Sequence, residues 1–309
     1  MGHWHFQHPL RQTSTTTVLL CSLISHPTNS PSLLPHLAPD NQTLLCSLTS
    51  HPTNPPSPIA QGTLPKMPTI GILSLQGGFQ EHLTALARAA ASLSASAASA
   101  PAFTPTPVRT PADLARCTAL LIPGGESTTI AHLAAESALL DPLRAFVAAG
   151  RPVWGTCAGA ILLADEAVAA SAKKGGQALI GGLAVRVHRN HFGRQIESFV
   201  ADLELPFLGG DEQQQPARPF SGVFIRAPVV EAVLDPAAVE TMARLPGRKT
   251  RAGIDRPSES DGDAEAGDIV AVRQGNIFAT SFHPELTDDI RVHVWWLGEV
   301  AKYLEKETA

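Results

Sequence analysis

The chain has 309 residues, with 23 basic and 28 acidic side chains and a formal net charge of −5, which excludes a generally basic nucleic-acid-binding surface. An apolar share of 44% is ample for a sizeable core, yet no apolar run approaches the roughly 20 residues that span a bilayer, so no membrane partner is expected. The four cysteines, at 21, 46, 117 and 157, contain no CxxC pair; neither a disulfide framework nor a thiolate metal site is expected, and a soluble cytoplasmic protein fits.

Residues 1–66 carry two Lys/Arg, one acid, ten prolines and six histidines, a composition that breaks helix and strand alike. Leu19-Leu20-Cys21-Ser22-Leu23 recurs as Leu44-Leu45-Cys46-Ser47-Leu48, each followed shortly by a Ser-His-Pro-Thr-Asn run. Two copies cannot build a repeat fold, which needs about three or more units. As a targeting peptide the stretch lacks a nearby small-residue cleavage site and the arginines of a mitochondrial leader. The expectation is a low-complexity, disordered extension, with Met67 as an alternative start.

At Met67 the character changes. Residues 69–75 form a short apolar run closed by Gln76-Gly77-Gly78, as for a buried parallel strand, and 79–91 reads as a helix. Residues 119–122 predict a second buried strand ending at Pro123-Gly124-Gly125; 127–140 predicts a helix, and Asp141-Pro142 opens another to residue 149. Residues 152–154 give a third strand before Gly155-Thr156-Cys157-Ala158-Gly159 and an Ala/Leu helix. Further strands are expected at 183–187, 198–203, 222–225, 269–273 and 277–281, with a closing helix from about 285 or 287 to 305. This rhythm implies a parallel α/β sheet covered by helices on both faces, one domain over 67–309. Residues 91–107, 209–219 and 246–267 lack apolar spacing and read as surface insertions.

Gly155-Thr156-Cys157-Ala158-Gly159 has the composition of a nucleophile elbow, a crowded turn between strand and helix. It would place the Cys157 thiol at a helix N-terminus, where partial positive charge favours thiolate and adjacent N–H groups, such as that of Ala158, can serve an oxyanion. The competing reading is a buried structural cysteine. A thiol nucleophile needs a base, and the base an orienting acid. His283-Pro284-Glu285 follows a predicted strand, and its i, i+2 spacing in extended chain puts both side chains on one face.

Pro123-Gly124-Gly125-Glu126-Ser127-Thr128-Thr129 joins strand to helix at the same sheet end. A phosphate loop would want GK[ST], and Glu126 would repel phosphate; a plain helix cap is the simpler alternative, and an amide-rich oxyanion cradle through Gly124 and Gly125 fits better than either. Arg189, in a polar turn, suits either a bound carboxylate or a solvated loop, and Arg226 after Phe224-Ile225 reads the same way. His188 and His191 flank Arg189 without a third ligand at metal-like spacing, so no metal site is expected.

Taken together these runs, with Ile70-Gly71-Ile72-Leu73-Ser74-Leu75-Gln76-Gly77, Arg189-Asn190 and Phe192-Gly193-Arg194-Gln195, Gly222-Val223-Phe224-Ile225-Arg226-Ala227-Pro228 and Ser281-Phe282-His283-Pro284-Glu285-Leu286-Thr287, resemble the glutaminase subunit of pyridoxal 5′-phosphate synthase, the PdxT/SNO family of class I glutamine amidotransferases. The resemblance implies a three-layer, flavodoxin-like domain. It implies hydrolysis of L-glutamine to glutamate and ammonia, with Cys157 as nucleophile, His283 as base and Glu285 as its orienter. Gly125, Glu126, Ser127, Arg189, Ile225 and Arg226 would contact glutamine, and no cofactor is implied. Ammonia would pass to a separate barrel-shaped synthase subunit in a hetero-oligomer, whose docking switches such glutaminases on; Gln76 and the Glu81-His82 pair lie in the segment resembling the docking edge. Two other readings compete: another amidotransferase or a γ-glutamyl hydrolase with the same triad, and a non-catalytic interaction subunit.

Overall fold

The computed structural model describes residues 67–96, 101–169, 177–189, 198–209, 218–245 and 267–308. The extension at 1–66, the turn 190–195 and nearly all of the stretches 209–219 and 246–267 lie outside the described residues.

In chain order the elements are β1 (Thr69–Leu73), α1 (Phe79–Ser96), β2 (Thr104–Val108), α2 (Pro111–Ala115), β3 (Ala119–Ile122), α3 (Ser127–Glu136), α4 (Leu140–Ala148), β4 (Val153–Thr156), α5 (Ala158–Leu163), β5 (Ala164–Ala169), β6 (Leu183–Arg189), β7 (Phe199–Leu203), β8 (Phe220–Phe224), β9 (Val229–Val233), β10 (Val239–Leu245), β11 (Asp268–Gln274), β12 (Ile277–Thr280) and α6 (Arg291–Thr308). Ten strands form one sheet in the order β2-β1-β3-β4-β12-β11-β9-β6-β5, with β10 beside β11. The first five are parallel, as the sequence predicts. Beyond β12 the sheet becomes mixed, because β11 pairs antiparallel with β12 and β9 antiparallel with both β11 and β6. β7 and β8 form a separate antiparallel ribbon.

Alternation along the central strands splits the core in two. Leu120 and Ile122 of β3 face one apolar cluster with Ile130, Leu143, Phe146 and Ile161 from α3, α4 and α5. Ala119 and Leu121 face the other, with Leu86 and Ala89 of α1 and Val292, Trp296 and Leu297 of α6. Both faces are thus covered, giving the three layers.

The stretch 91–107, read from sequence as a surface insertion, carries regular structure instead. α1 runs on to Ser96, and β2 pairs in parallel with β1 through Thr-Pro-Thr-Pro-Val. Two prolines hid this strand, and they are tolerated because β2 is the sheet edge, where one row of N–H groups has no ladder partner to lose. The Ala/Leu helix after Cys157 stops at Leu163, and the Ala-rich residues that follow form β5, where pairing with β6 overrides helix propensity. α4 begins at Leu140, one residue before the Asp141-Pro142 opening, and α6 starts at Arg291 after a separate 3₁₀ turn over Pro284–Leu286.

Candidate active site

β3, β4 and β12 are adjacent parallel strands, so the chain leaves all three at one edge of the sheet. At the end of β4 the backbone of Cys157 takes φ 47° and ψ −100°, a left-handed conformation that L-residues avoid. It is held there from both sides. The Cys157 N–H donates to the Thr280 carbonyl of β12 at 2.8 Å, and the Cys157 carbonyl accepts from Ile161 N–H at 3.2 Å, closing the first turn of α5. Gly159 allows that turn to sit on β3, since a Cβ there would collide with the Ile122 carbonyl. Strand, strained cysteine and helix together make the elbow expected from Gly155–Gly159, with the thiol side chain almost enclosed at 6% exposure.

Thr280 of β12 is in register with Thr156 of β4, so His283 emerges beside Cys157. Its N–H donates to the Val223 carbonyl at 2.8 Å, tying the segment to β8. His283 Nδ1 lies 2.7 Å from Glu285 Oε1, and the ring stands with the Cys157 side chain against Gly124. Burial disfavours the imidazolium, but the Cys157 and Glu285 side chains outweigh it and push the His283 pKa up to about 10. Burial likewise opposes the Glu285 carboxylate, yet His82 and His283 hold it well below the usual carboxylate range. Gly124 presses on both reacting side chains: a Cβ on it would overlap the His283 ring and lie 3.3 Å from Cys157 Cβ.

Above the sulfur is a pocket lined by Gly125, Glu126, Ser127, Cys157, Ile161, Arg189, Ile225 and Arg226. Glu126 is its acidic wall. Its carboxylate lies 3.5 Å from Arg189 at the end of β6 and 3.8 Å from Arg226, which follows β8 with φ 47°. The loop bearing Glu126 is fixed from β1: Glu126 N–H donates to Gln76 Oε1 at 2.9 Å, and Gly78 N–H to the Gly124 carbonyl at 3.0 Å. A buried thiol joined to an imidazole–carboxylate pair, under a cavity with one acid and two guanidiniums, suits acyl transfer from a small amide bearing both an amine and a carboxylate.

A family model described as the SNO glutamine amidotransferase family matches residues 72–302. The chain belongs to that family. Among similar proteins, the probable pyridoxal 5′-phosphate synthase subunit PDX2 of Arabidopsis thaliana is 44% identical over 243 residues, covering 77% of this chain and 88% of its own. The pyridoxal 5′-phosphate synthase subunit PdxT of Streptomyces avermitilis is 46% identical over 226 residues, covering 73% of this chain and 90% of its own. A crystal structure of a glutamine amidotransferase superposes with a TM-score of 0.56 at 40% identity, covering 75% of this chain and 98% of that one.

In this SNO family member the residues read from sequence as the triad, the oxyanion backbone and the glutamine contacts all lie at the ends of the central parallel strands. Cys157, His283 and Glu285 meet, and Gly125, Glu126, Ser127, Arg189, Ile225 and Arg226 line the cavity beside them. Ala158 opens α5 directly after the sulfur, and Gly124 backs it. Ser127 is turned away from solvent, its hydroxyl donating to Gln177 Oε1 at 2.9 Å. Ile161 and Gln177 escaped the sequence reading, which gives His82 no place beside the triad. His82, in the segment that resembles a docking edge, is itself fully buried, 3.2 Å from Glu285 Oε2. The signal was present, since positions 82, 85, 86 and 89 share one helical face and the other three are apolar.

Proposed function

We infer that the protein is the glutaminase subunit of a pyridoxal 5′-phosphate synthase, hydrolysing L-glutamine and supplying the ammonia for vitamin B6 synthesis. Among the features of the molecule, the one that carries the chemistry is Cys157 joined to His283 and Glu285 at the floor of the Glu126–Arg189–Arg226 cavity. Glutamine enters with its α-carboxylate towards the arginines and its α-amine towards Glu126. Cys157 Sγ attacks the side-chain amide carbon, and the oxyanion is received by backbone N–H groups of Ala158 and the Gly124-Gly125 loop. The raised proton affinity of His283 suits it to hand a proton to the leaving nitrogen, so the C–N bond breaks as ammonia departs and a thioester remains. Water then attacks the thioester, His283 takes its proton, and glutamate leaves with the sulfur restored. Glu285 holds the His283 tautomer through Nδ1.

The ammonia is delivered to a barrel-type synthase subunit on a separate polypeptide, in a hetero-oligomer that acts in the cytoplasm. The two cysteines among the described residues, Cys117 and Cys157, are both unpaired, which suits a reducing compartment. No helix among the described residues is long and apolar enough to cross a membrane. The deciding experiment is glutamate release by the full chain with its synthase subunit. Cys157→Ala abolishes it while the pair still co-purifies; full residual turnover in that variant overturns the assignment.

A further inference from the structure

The Glu285 carboxylate has two oxygens, and the mechanism uses one. Oε1 serves His283 at 2.7 Å. Oε2 is buried with no hydrogen-bond partner among the described residues, and His82 Nε2 stands 3.2 Å from it. That approach is close but does not make a hydrogen bond, and the same nitrogen faces Thr156 Oγ1 at 3.1 Å. On its far side His82 Nδ1 lies 3.1 Å from His293 Nε2. His82 comes from α1 and His293 from α6, and both are 0% exposed. Trp154 fixes both rings, with centroids 5.8 Å from His82 and 5.0 Å from His293. Imidazole, imidazole, carboxylate, imidazole and thiol therefore run in one buried line from α6 to the nucleophile.

We propose that His82 and His293 are positioning residues: a neutral two-imidazole strut that presents an N–H to Glu285 Oε2 at 3.2 Å and fixes the carboxylate that orients His283. The strut rests on the reading of Cys157, His283 and Glu285 as the catalytic set. Its proton arrangement follows from one constraint. An ionised carboxylate only accepts, so both its imidazole neighbours turn an N–H towards it. A neutral His82 with its proton on Nε2 has a bare Nδ1, which must accept from His293 Nε2–H. That leaves the lone pair of His293 Nδ1 without a partner, and His293 Nδ1 is a buried atom with no hydrogen bond. A protonated His82 would instead strand a buried N–H donor on His293, the costlier orphan. Burial above all keeps His293 uncharged, its pKa pushed down to about 3. The charged or titratable groups facing the strut are Glu285 and, beyond it, His283 and Cys157, with Arg88 acting on His293 from α1. No metal-binding cluster exists among the described residues, which leaves hydrogen bonding as the use for these side chains. Two imidazoles in an otherwise aromatic and aliphatic core cost stability that apolar residues would not, which points to a demand from the site.

The test follows glutamate release by the full chain with its synthase subunit, against glutamine concentration and pH. His82→Leu is expected to lower kcat about 10–100-fold with KM within about twofold, and to move the acid limb of kcat/KM up by about one pH unit as Glu285 loses the N–H facing Oε2. His82→Gln, whose amide N–H still reaches Oε2, is expected to recover kcat to within about threefold of wild type. Equal kcat and pH profile in wild type and His82→Leu overturns the strut. So does a His82→Gln as impaired as His82→Leu, with both melting at the same lower temperature, since that marks a packing role alone. If neither His82 variant folds, His293→Phe reads the same line one step out: reduced kcat at unchanged KM supports the strut, and wild-type kinetics overturn it. Absence of Cys157-dependent glutamate release in the wild type overturns the catalytic reading itself, which separates the two failures.

Discussion

Gln76 and Glu126, on loops after different strands, are joined by one hydrogen bond: the Glu126 N–H donates to Gln76 Oε1 at 2.9 Å. The amide side chain of one loop thereby sets the height of the other. The fit is close, since a Cβ on Gly125 would stand 2.5 Å from the same oxygen. The glycine-rich loop is held against the elbow by a side chain rather than by sheet pairing.

Gln76→Leu removes that acceptor and leaves the Glu126 N–H without it. The expected cost is about 1–2 kcal/mol in urea unfolding, with kcat/KM lowered about tenfold as the loop loses its register over Cys157. Unchanged kinetics would show that the backbone bond from Gly78 to Gly124 suffices alone.

Gly124→Ala separates catalysis from folding. Gly124 carries no left-handed φ, so alanine is not strained in the backbone, but its methyl would enter the space of the His283 ring. The ring must shift while the fold stays. The variant should lose about 100-fold or more in kcat with its melting temperature within a few degrees of wild type. A large drop in melting temperature with normal kcat would mean the loop, not the ring, gives way.

Much of this site was legible because its chemistry is local in sequence. Cys157 between small residues, and His283 two residues from Glu285, announce an elbow and an oriented base without any knowledge of the fold. The central parallel strands were equally plain as short apolar runs. What stayed hidden depends on partners. β2 carries two prolines and is a strand only because β1 offers it an edge; β5 has a helix-forming composition and is a strand only because β6 lies alongside. From sequence, His82 is no more than part of a segment resembling a docking edge, and only the packing of α1 against α6 shows that it turns inward to Glu285. Pattern reports what a segment prefers, and the neighbours decide when the preference is mild.

Glu126→Gln tests recognition apart from chemistry. Its carboxylate lies outside the Cys157–His283–Glu285 line and between Arg189 and Arg226. Removing the charge takes away the partner assigned to the glutamine amine and loosens both arginines. A charge-assisted hydrogen bond contributes about 1.5–3 kcal/mol, so KM for glutamine should rise about 10–100-fold with kcat nearly unchanged. A fall in kcat at constant KM would move Glu126 from binding to chemistry.

Two buried histidines make stability depend on pH in opposite senses. The His283 pKa is raised from 6.5 to about 10, so its stabilising contribution is complete below pH 6.5 and is lost as pH rises through about 10. The His293 pKa is lowered from 6.5 to about 3, so its contribution is complete above pH 6.5 and is lost as pH falls towards 3, because the unfolded chain binds a proton that the core refuses. Wild-type stability should therefore peak near pH 6.5. On the acid side His293 alone removes about 2 kcal/mol by pH 5, at about 1.4 kcal/mol per pH unit. Urea unfolding of wild type and His293→Phe at pH 7 and pH 5 checks this: the variant should lose less stability between the two pH values by about that amount. Equal losses would mean that His293 takes up its proton in the folded core as readily as in the unfolded chain.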